Sequence, residues 1–190
     1  MLKLPNKPKL TDQELDKIVG HYFKSPPELL IVGVRGYFSK TIGEEGNDFN
    51  QWDDAFFIYE NGTLIKSFNG NTDPTKLRKD EAQIKAGIYT FYKGVHNKRI
   101  KGLRAYPEGV GIPCLRQNAK GIWYDSIAHL INFHDNVGST TGSEGCQTIP
   151  QPQFNEFRDL VYEKMTNHKL KVITYLLVEE PEMQKLLNNL

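Results

Sequence analysis

An Asn61-Gly62 pair separates two strand-like runs, Ala55-Phe56-Phe57-Ile58-Tyr59 and Thr63-Leu64-Ile65-Lys66-Ser67-Phe68. Asn and Gly both tolerate the positive φ angles of a tight turn, so this stretch predicts an antiparallel hairpin. A lone hairpin is not stable in water and needs more strands or a covering helix. The chain offers both. Short β-like runs recur at Leu29–Val34, Gly87–Tyr92, Leu103–Tyr106, Pro113–Arg116, Ile127–His134 and Lys171–Val178. The last is rich in β-branched and aromatic residues, which suit a pleated surface. Asn118-Ala119-Lys120-Gly121 predicts a turn between the runs at 113–116 and 127–134.

Two helices complete this reading. Thr11-Asp12-Gln13-Glu14 has the pattern of a capping box, followed by Leu15, Ile18, Val19 and Tyr22 on one helical face. Ser25-Pro26-Pro27 ends that helix. A second helix is expected over Pro152–Met165, with Phe154, Phe157, Val161 and Met165 at helical spacing and Pro152 near its first turn. One further helical turn is expected after Pro181, and a long polar loop over residues 39–53, containing Gly43, Gly46, Asn47 and Asn50. The expected fold is mainly β (β+α), a β-sandwich or barrel with one or two covering helices. Residues 1–28 are expected to form an N-terminal helical extension and 29–190 the main domain.

Composition narrows the function classes. The 190 residues carry 24 Lys plus Arg and 23 Asp plus Glu, so the formal net charge is 24 − 23 = +1. A nucleic-acid binder would need a concentrated basic footprint, so none is expected as a partner. A hydrophobic share of 38% excludes disorder, and no apolar run reaches the roughly 18 residues of a membrane span. Met1-Leu2-Lys3-Leu4-Pro5 lacks the apolar run of a signal peptide. Two cysteines, Cys114 and Cys146, cannot build a disulfide framework, though one bridge stays open. No Cys-x-x-Cys or His-x-x-x-His cluster is present, and Gly138–Gly142 is not followed by the Gly-Lys-Ser/Thr of a phosphate loop. Neither a metal nor a cofactor is expected. Metal binding by His129, His134 and Cys146 is disfavoured, since residues five apart on one strand face opposite ways.

The chemistry concentrates in Leu130-Ile131-Asn132-Phe133-His134 and, after a Gly-, Ser- and Thr-rich loop, Ser143-Glu144-Gly145-Cys146-Gln147. A strand delivers His134, and a loop that folds back can bring Cys146 to it. An isolated thiol, with pKa about 8.5, is little ionised at neutral pH and needs such a base. The chemistry this suggests is acyl transfer. Cys146 attacks a carbonyl, His134 moves the proton, and N–H groups near Gly145 and Cys146 hold the oxyanion. From these residues alone, Cys146 reads more readily as a small buried side chain than as a nucleophile, and His134 equally as a loop cap.

The stretch resembles the L,D-transpeptidase (YkuD-like) catalytic domain, whose signature is an upstream His followed by Ser/Thr-His-Gly-Cys. The matching positions are His134, Ser143, Gly145 and Cys146. The Asn61-Gly62 hairpin and Lys85-Ala86-Gly87-Ile88-Tyr89-Thr90-Phe91 resemble that family's early strands. Phe133–Pro150, Val34-Arg35-Gly36-Tyr37, Asp53-Asp54-Ala55 and Asn69-Gly70-Asn71-Thr72-Asp73-Pro74 resemble divergent phage and prophage relatives. The likeness spans roughly residues 30–180. Glu144 replaces the signature's second His, Thr148 replaces an Asn or Arg, and the His-to-Cys spacer is short.

The resemblance implies cysteine-dependent acyl transfer on peptidoglycan stem peptides through a thioester on Cys146, by a hydrolase or a transpeptidase. It also implies synthesis in the cytoplasm and action at the cell wall, in phage lysis or from the virion. The alternatives are a catalytically degenerate wall-binding or phage structural module, and an unrelated cysteine hydrolase. Ser143, His96, Arg104 and Arg116 are the substrate-binding candidates; a guanidinium can grip a carboxylate with two parallel bonds. For His96 the competing reading is a surface loop residue, and for the arginines a strand-edge salt bridge. Asp135 and Asn136 either orient His134 or cap their loop. Asp48, Asp53 and Asp54 are expected as solvated carboxylates, Cys114 as a structural residue, and Trp52 and Trp123 as core or rim residues.

Overall fold

The computed structural model describes residues 2–42, 47–76, 81–136 and 138–188. The elements run α1 (Asp12–Tyr22), β1 (Leu29–Arg35), α2 (Ser39–Ile42), β2 (Asp54–Glu60), β3 (Thr63–Gly70), β4 (Gln83–Ile84), β5 (Gly87–His96) and β6 (Ile100–Ala105). They continue β7 (Ile112–Gln117), β8 (Trp123–Ala128), β9 (Asn132–Asn136), β10 (Gln147–Pro150), α3 (Gln151–Asn167), β11 (Val172–Glu179) and α4 (Glu180–Asn188). The fold is mainly β. An eight-stranded sheet has the order β10-β9-β6-β5-β11-β1-β2-β3, and a second sheet the order β4-β7-β8. The large sheet curls until its two ends meet. Asn71, just after β3, and Thr148 on β10 exchange backbone hydrogen bonds of 2.9 and 2.8 Å.

The central strands β1, β2 and β11 are buried on both faces, and their alternation divides two cores. Leu29, Ile31, Phe56, Ile58, Ile173, Tyr175 and Leu177 turn to one side and meet Phe154, Phe157, Val161 and Met165 of α3. Leu30, Val32, Val34, Ala55, Phe57, Leu176 and Val178 turn to the other and meet α1 and Met183 of α4. The helix expected in an N-terminal extension thus buries Leu15, Ile18 and Val19 in this second core. Its capping box forms as expected: the Thr11 side chain accepts from the Glu14 backbone while Glu14 accepts from the Thr11 backbone. No helix among the described residues is long and apolar enough to cross a membrane.

The Asn61-Gly62 turn is present, with φ of 50° and 83°. Other expectations are corrected. The apolar run at Ile127–His134 is two strands in two sheets, because Leu130 adopts φ 61° and breaks the extension after β8. The tail helix α4 extends well beyond one turn, to Asn188. Residues 39–42 of the expected loop form the short helix α2, while Gly43 and Gly46 lie outside the described residues.

Asp53 and Asp54, expected in solvent, are fully buried. Asp54 accepts from the backbone N–H groups of Gly36 and Thr72, and Asp53 from that of Asp48 at 2.8 Å. The reason lies across the sequence. The buried Arg35 guanidinium pairs with Asp73 at 3.0 Å and Glu179 at 2.8 Å, and its charge also bears on Asp54. Burial nevertheless pushes the Asp53 carboxyl up to about 7. Cys114 is fully buried, as expected of a structural residue, Trp52 is buried, and Trp123 lies on the surface stacked near Phe49.

Candidate active site

Two neighbouring parallel strands bring the expected residues together. β9 and β10 pair with Phe133 opposite Gln147 and His134 opposite Thr148, so Cys146, one residue before β10, falls beside Asn132. Phe133 points into the core among Phe56, Phe91, Phe157 and Tyr175, with ring centroids 5.0–5.6 Å away. That packing anchors β9, and the alternation of the strand turns Asn132 and His134 to the opposite face. From β5, His96 lies against them. One ring nitrogen of His96, one of His134 and Sγ of Cys146 all lie within 4.8 Å of one another.

The histidine is oriented by its own neighbour. His134 Nδ1 lies 2.7 Å from the Asp135 carbonyl oxygen. A carbonyl only accepts, so Nδ1 carries the proton and Nε2 keeps its lone pair. Asn136, the other candidate for orienting the ring, instead caps its own loop through Thr140 and Gly138. Burial holds His134 below the ordinary imidazole pKa, against the pull of the Asp135 carbonyl. Burial also pushes the Cys146 thiol up, helped by Glu144 and opposed by hydrogen bonds from Asn132. The resting pair is therefore a neutral thiol and a neutral imidazole, so the thiol proton has to move during attack.

The cysteine loop is held from behind. Ser143 Oγ accepts from Gly145 N–H at 3.0 Å and donates to the Cys146 carbonyl at 2.7 Å. Ser143 also exchanges bonds with Thr75, and the Glu144 carbonyl accepts from Ala82 N–H at 3.0 Å. Gly145 has φ 132°, and a Cβ there would stand 2.6 Å from the Ala82 carbonyl oxygen, so only glycine fits. Buried Tyr175 donates to Gln147 Oε1 at 2.7 Å, tying the loop's exit to the core. These contacts correct two expectations. Buried Ser143 organises the loop rather than facing a substrate, and the Gly145 N–H is spent on Ser143 rather than open to an oxyanion.

No protein-family model matches this chain, and no curated protein does either. A cleft of about 570 Å³ opens above the cysteine, and His96, Arg104 and Arg116 all line it. Arg104 is ion-paired to the more exposed Glu108 at 3.0 Å, and Arg116 Nε donates to Ser126 Oγ at 3.3 Å. Among the described residues the wall carries Arg104, Arg116 and Lys98, against the carboxylate of Glu144. Glu144 is exposed on the cleft wall, and its charge still bears on the Cys146 thiol. His129 lies on the cleft wall outside the three-residue cluster.

One residue had escaped the sequence reading. Asn132 is buried, donates to His96 Nδ1 at 3.0 Å and to the Leu130 carbonyl, and places the same amide 3.9 Å from Cys146 Sγ. A period-two reading of β9 puts Asn132 and His134 on one face, and that signal was available in the sequence.

Proposed function

We propose that this protein carries out cysteine-dependent acyl transfer on peptidoglycan stem peptides, as a hydrolase or a transpeptidase. The observation that carries the reading is the convergence of Cys146 Sγ and the oriented His134 imidazole under an open cleft. Sγ attacks the carbonyl of the scissile amide while His134 Nε2 takes the thiol proton. In this mechanism the Cys146 N–H, beside the attacking sulfur, serves the oxyanion. The tetrahedral intermediate collapses, the leaving amine takes the proton from His134, and a thioester remains on Cys146. His134 then draws a proton from water or an amine as its oxygen or nitrogen attacks the thioester carbonyl; the C–S bond breaks and the proton passes to Sγ, giving hydrolysis or cross-linking.

The likeness of His134, Ser143, Gly145 and Cys146 to the L,D-transpeptidase signature supports the substrate class. So does the excess of cations around the cleft, which suits a peptide bearing free carboxylates. Action at the cell wall, in phage lysis or from a virion, belongs to the same proposal. One observation favours a second reading, a wall-binding module without turnover: burial disfavours the charged forms of both thiol and imidazole. Incubating purified sacculi with wild-type protein and with Cys146→Ser, followed by mass spectrometry of muropeptides, separates the two. Stem peptides shortened, exchanged or cross-linked by wild type alone support the enzyme. Identical traces across several sacculus chemistries support the binding module.

A further inference from the structure

The cleft floor presents the donor types that zinc selects. Imidazole nitrogen and thiolate sulfur bind Zn²⁺ in preference to the oxygen-seeking Mg²⁺ or Ca²⁺. Zinc bonds of about 2.0–2.1 Å to nitrogen and about 2.3 Å to sulfur place ligand atoms roughly 3.3–3.6 Å apart on a tetrahedral ion. The three atoms of His96, His134 and Cys146, within 4.8 Å of one another, need to close only a short distance. They form the one such group of histidine, cysteine and acidic side chains among the described residues.

Closing it falls to His96. His134 is fixed through Nδ1, and Cys146 rides on the loop stapled by Ser143. His96 is half-buried at the end of β5, stacked on His134 with the planes within 3° of parallel. Parallel rings cannot aim their lone pairs at one ion, so His96 must turn about its side-chain bonds. What holds it back is a single hydrogen bond of 3.0 Å from the Asn132 amide. The Asn132 amide also donates to the Leu130 carbonyl, so it keeps a partner when His96 turns away. The open cleft supplies a water for the fourth position.

We propose that His96, His134 and Cys146 bind one Zn²⁺ reversibly and that the bound ion silences the cysteine. As Sγ bonds to zinc, the thiol proton leaves to solvent. The two imidazoles each donate a lone pair, water fills the fourth site, and no electron is transferred. The silencing rests on the reading of Cys146 as a nucleophile; the metal binding does not.

The full chain, stripped of metal, is titrated with ZnCl₂ against a chromophoric chelator, beside Cys146→Ser, His96→Ala and His129→Ala. The expected result is one ion per chain, with a Kd of about 1 μM or tighter and unchanged in His129→Ala. Affinity is expected to fall about 100-fold in Cys146→Ser and about 10-fold in His96→Ala. Near-ultraviolet circular dichroism confirms that each variant is folded. Co²⁺ in place of zinc is expected to give a thiolate charge-transfer band that Cys146→Ser lacks. Equal affinity in all four proteins, or no binding below about 100 μM, overturns the proposal. Turnover of wall peptides by the zinc-free protein is scored separately: activity without zinc binding defeats the metal site alone. Zinc binding without turnover leaves the metal site standing and defeats the enzyme reading.

Discussion

The imidazoles of His96 and His134 lie face to face, ring centroids 4.3 Å apart and planes within 3° of parallel. Two positive charges at that separation repel, and burial adds to the cost of placing even one. Burial first, then His134 and Arg104, push His96 down to about 4.

This pair makes stability pH-dependent in a stated direction. Between about 4 and the ordinary value of 6.5 the unfolded chain binds a proton at His96 that the folded one refuses. The stability tied to the neutral ring is complete above that window and is lost as pH falls through it. Thermal unfolding of His96→Gln should show a shallower fall in Tm over this range than wild type. An equally steep fall in the variant contradicts the assignment.

Asp53 acts with the opposite sign. Its carboxyl is pushed up from 3.8 to about 7, so the folded chain holds a proton that the unfolded chain gives up. This contribution is present at low pH and lost as pH rises through about 7. Asp53→Asn removes the titration and keeps an oxygen for the Asp48 N–H. Its Tm relative to wild type is expected to climb as pH rises from about 4 to about 8. A constant difference would show that Asp53 does not titrate in this way.

Ser143 is a positioning residue for the nucleophile. Ser143→Ala leaves the Gly145 N–H and the Cys146 carbonyl without their bonds of 3.0 and 2.7 Å. The expected cost is about 1–3 kcal/mol of stability. A nucleophile displaced by about 1 Å also loses up to about 100-fold in kcat. KM should change little, since Ser143 is buried beneath the cleft. A raised KM with an unchanged kcat would place Ser143 on the substrate instead.

Arg104 and Arg116 should show the reverse pattern. Each lines the cleft, and losing one charged hydrogen bond to a substrate carboxylate costs about 1.5–3 kcal/mol. Alanine at either position is expected to raise KM by about 10–100-fold for peptides with free carboxylates. Amidated peptides should be affected far less. Equal losses on both peptide types would mean that the arginines serve the wall of the cleft and not the ligand.

Local chemistry was legible in the sequence and distant partnership was not. The Thr11–Glu14 capping box and the Asn61-Gly62 turn are specified by residues that touch each other within a few positions. His134, Gly145 and Cys146 stood out because strand, glycine and thiol lie within one short stretch. The split at Leu130 was hidden, since an apolar residue at φ 61° carries no local signal in its side chain. The burial of Asp54 is met by groups far from it in sequence, the N–H groups of Gly36 and Thr72 and the charge of Arg35. His96 reaches His134 only through the register of β5 on β6 and β6 on β9. The closure of the sheet at Asn71 and Thr148, which sets the cysteine loop in place, joins positions 77 residues apart.

The most direct test of the account is the intact mass of the protein, acid-quenched during incubation with a stem tetrapeptide. The account predicts an adduct on wild type equal to the peptide minus its leaving amino acid, mapping to Cys146 and released by hydroxylamine. Cys146→Ser should carry no hydroxylamine-labile thioester, and His134→Ala should accumulate the adduct far more slowly. A folded wild-type protein whose Cys146 reacts with an alkylating reagent, yet forms no adduct with any stem peptide tried, would contradict the central claim.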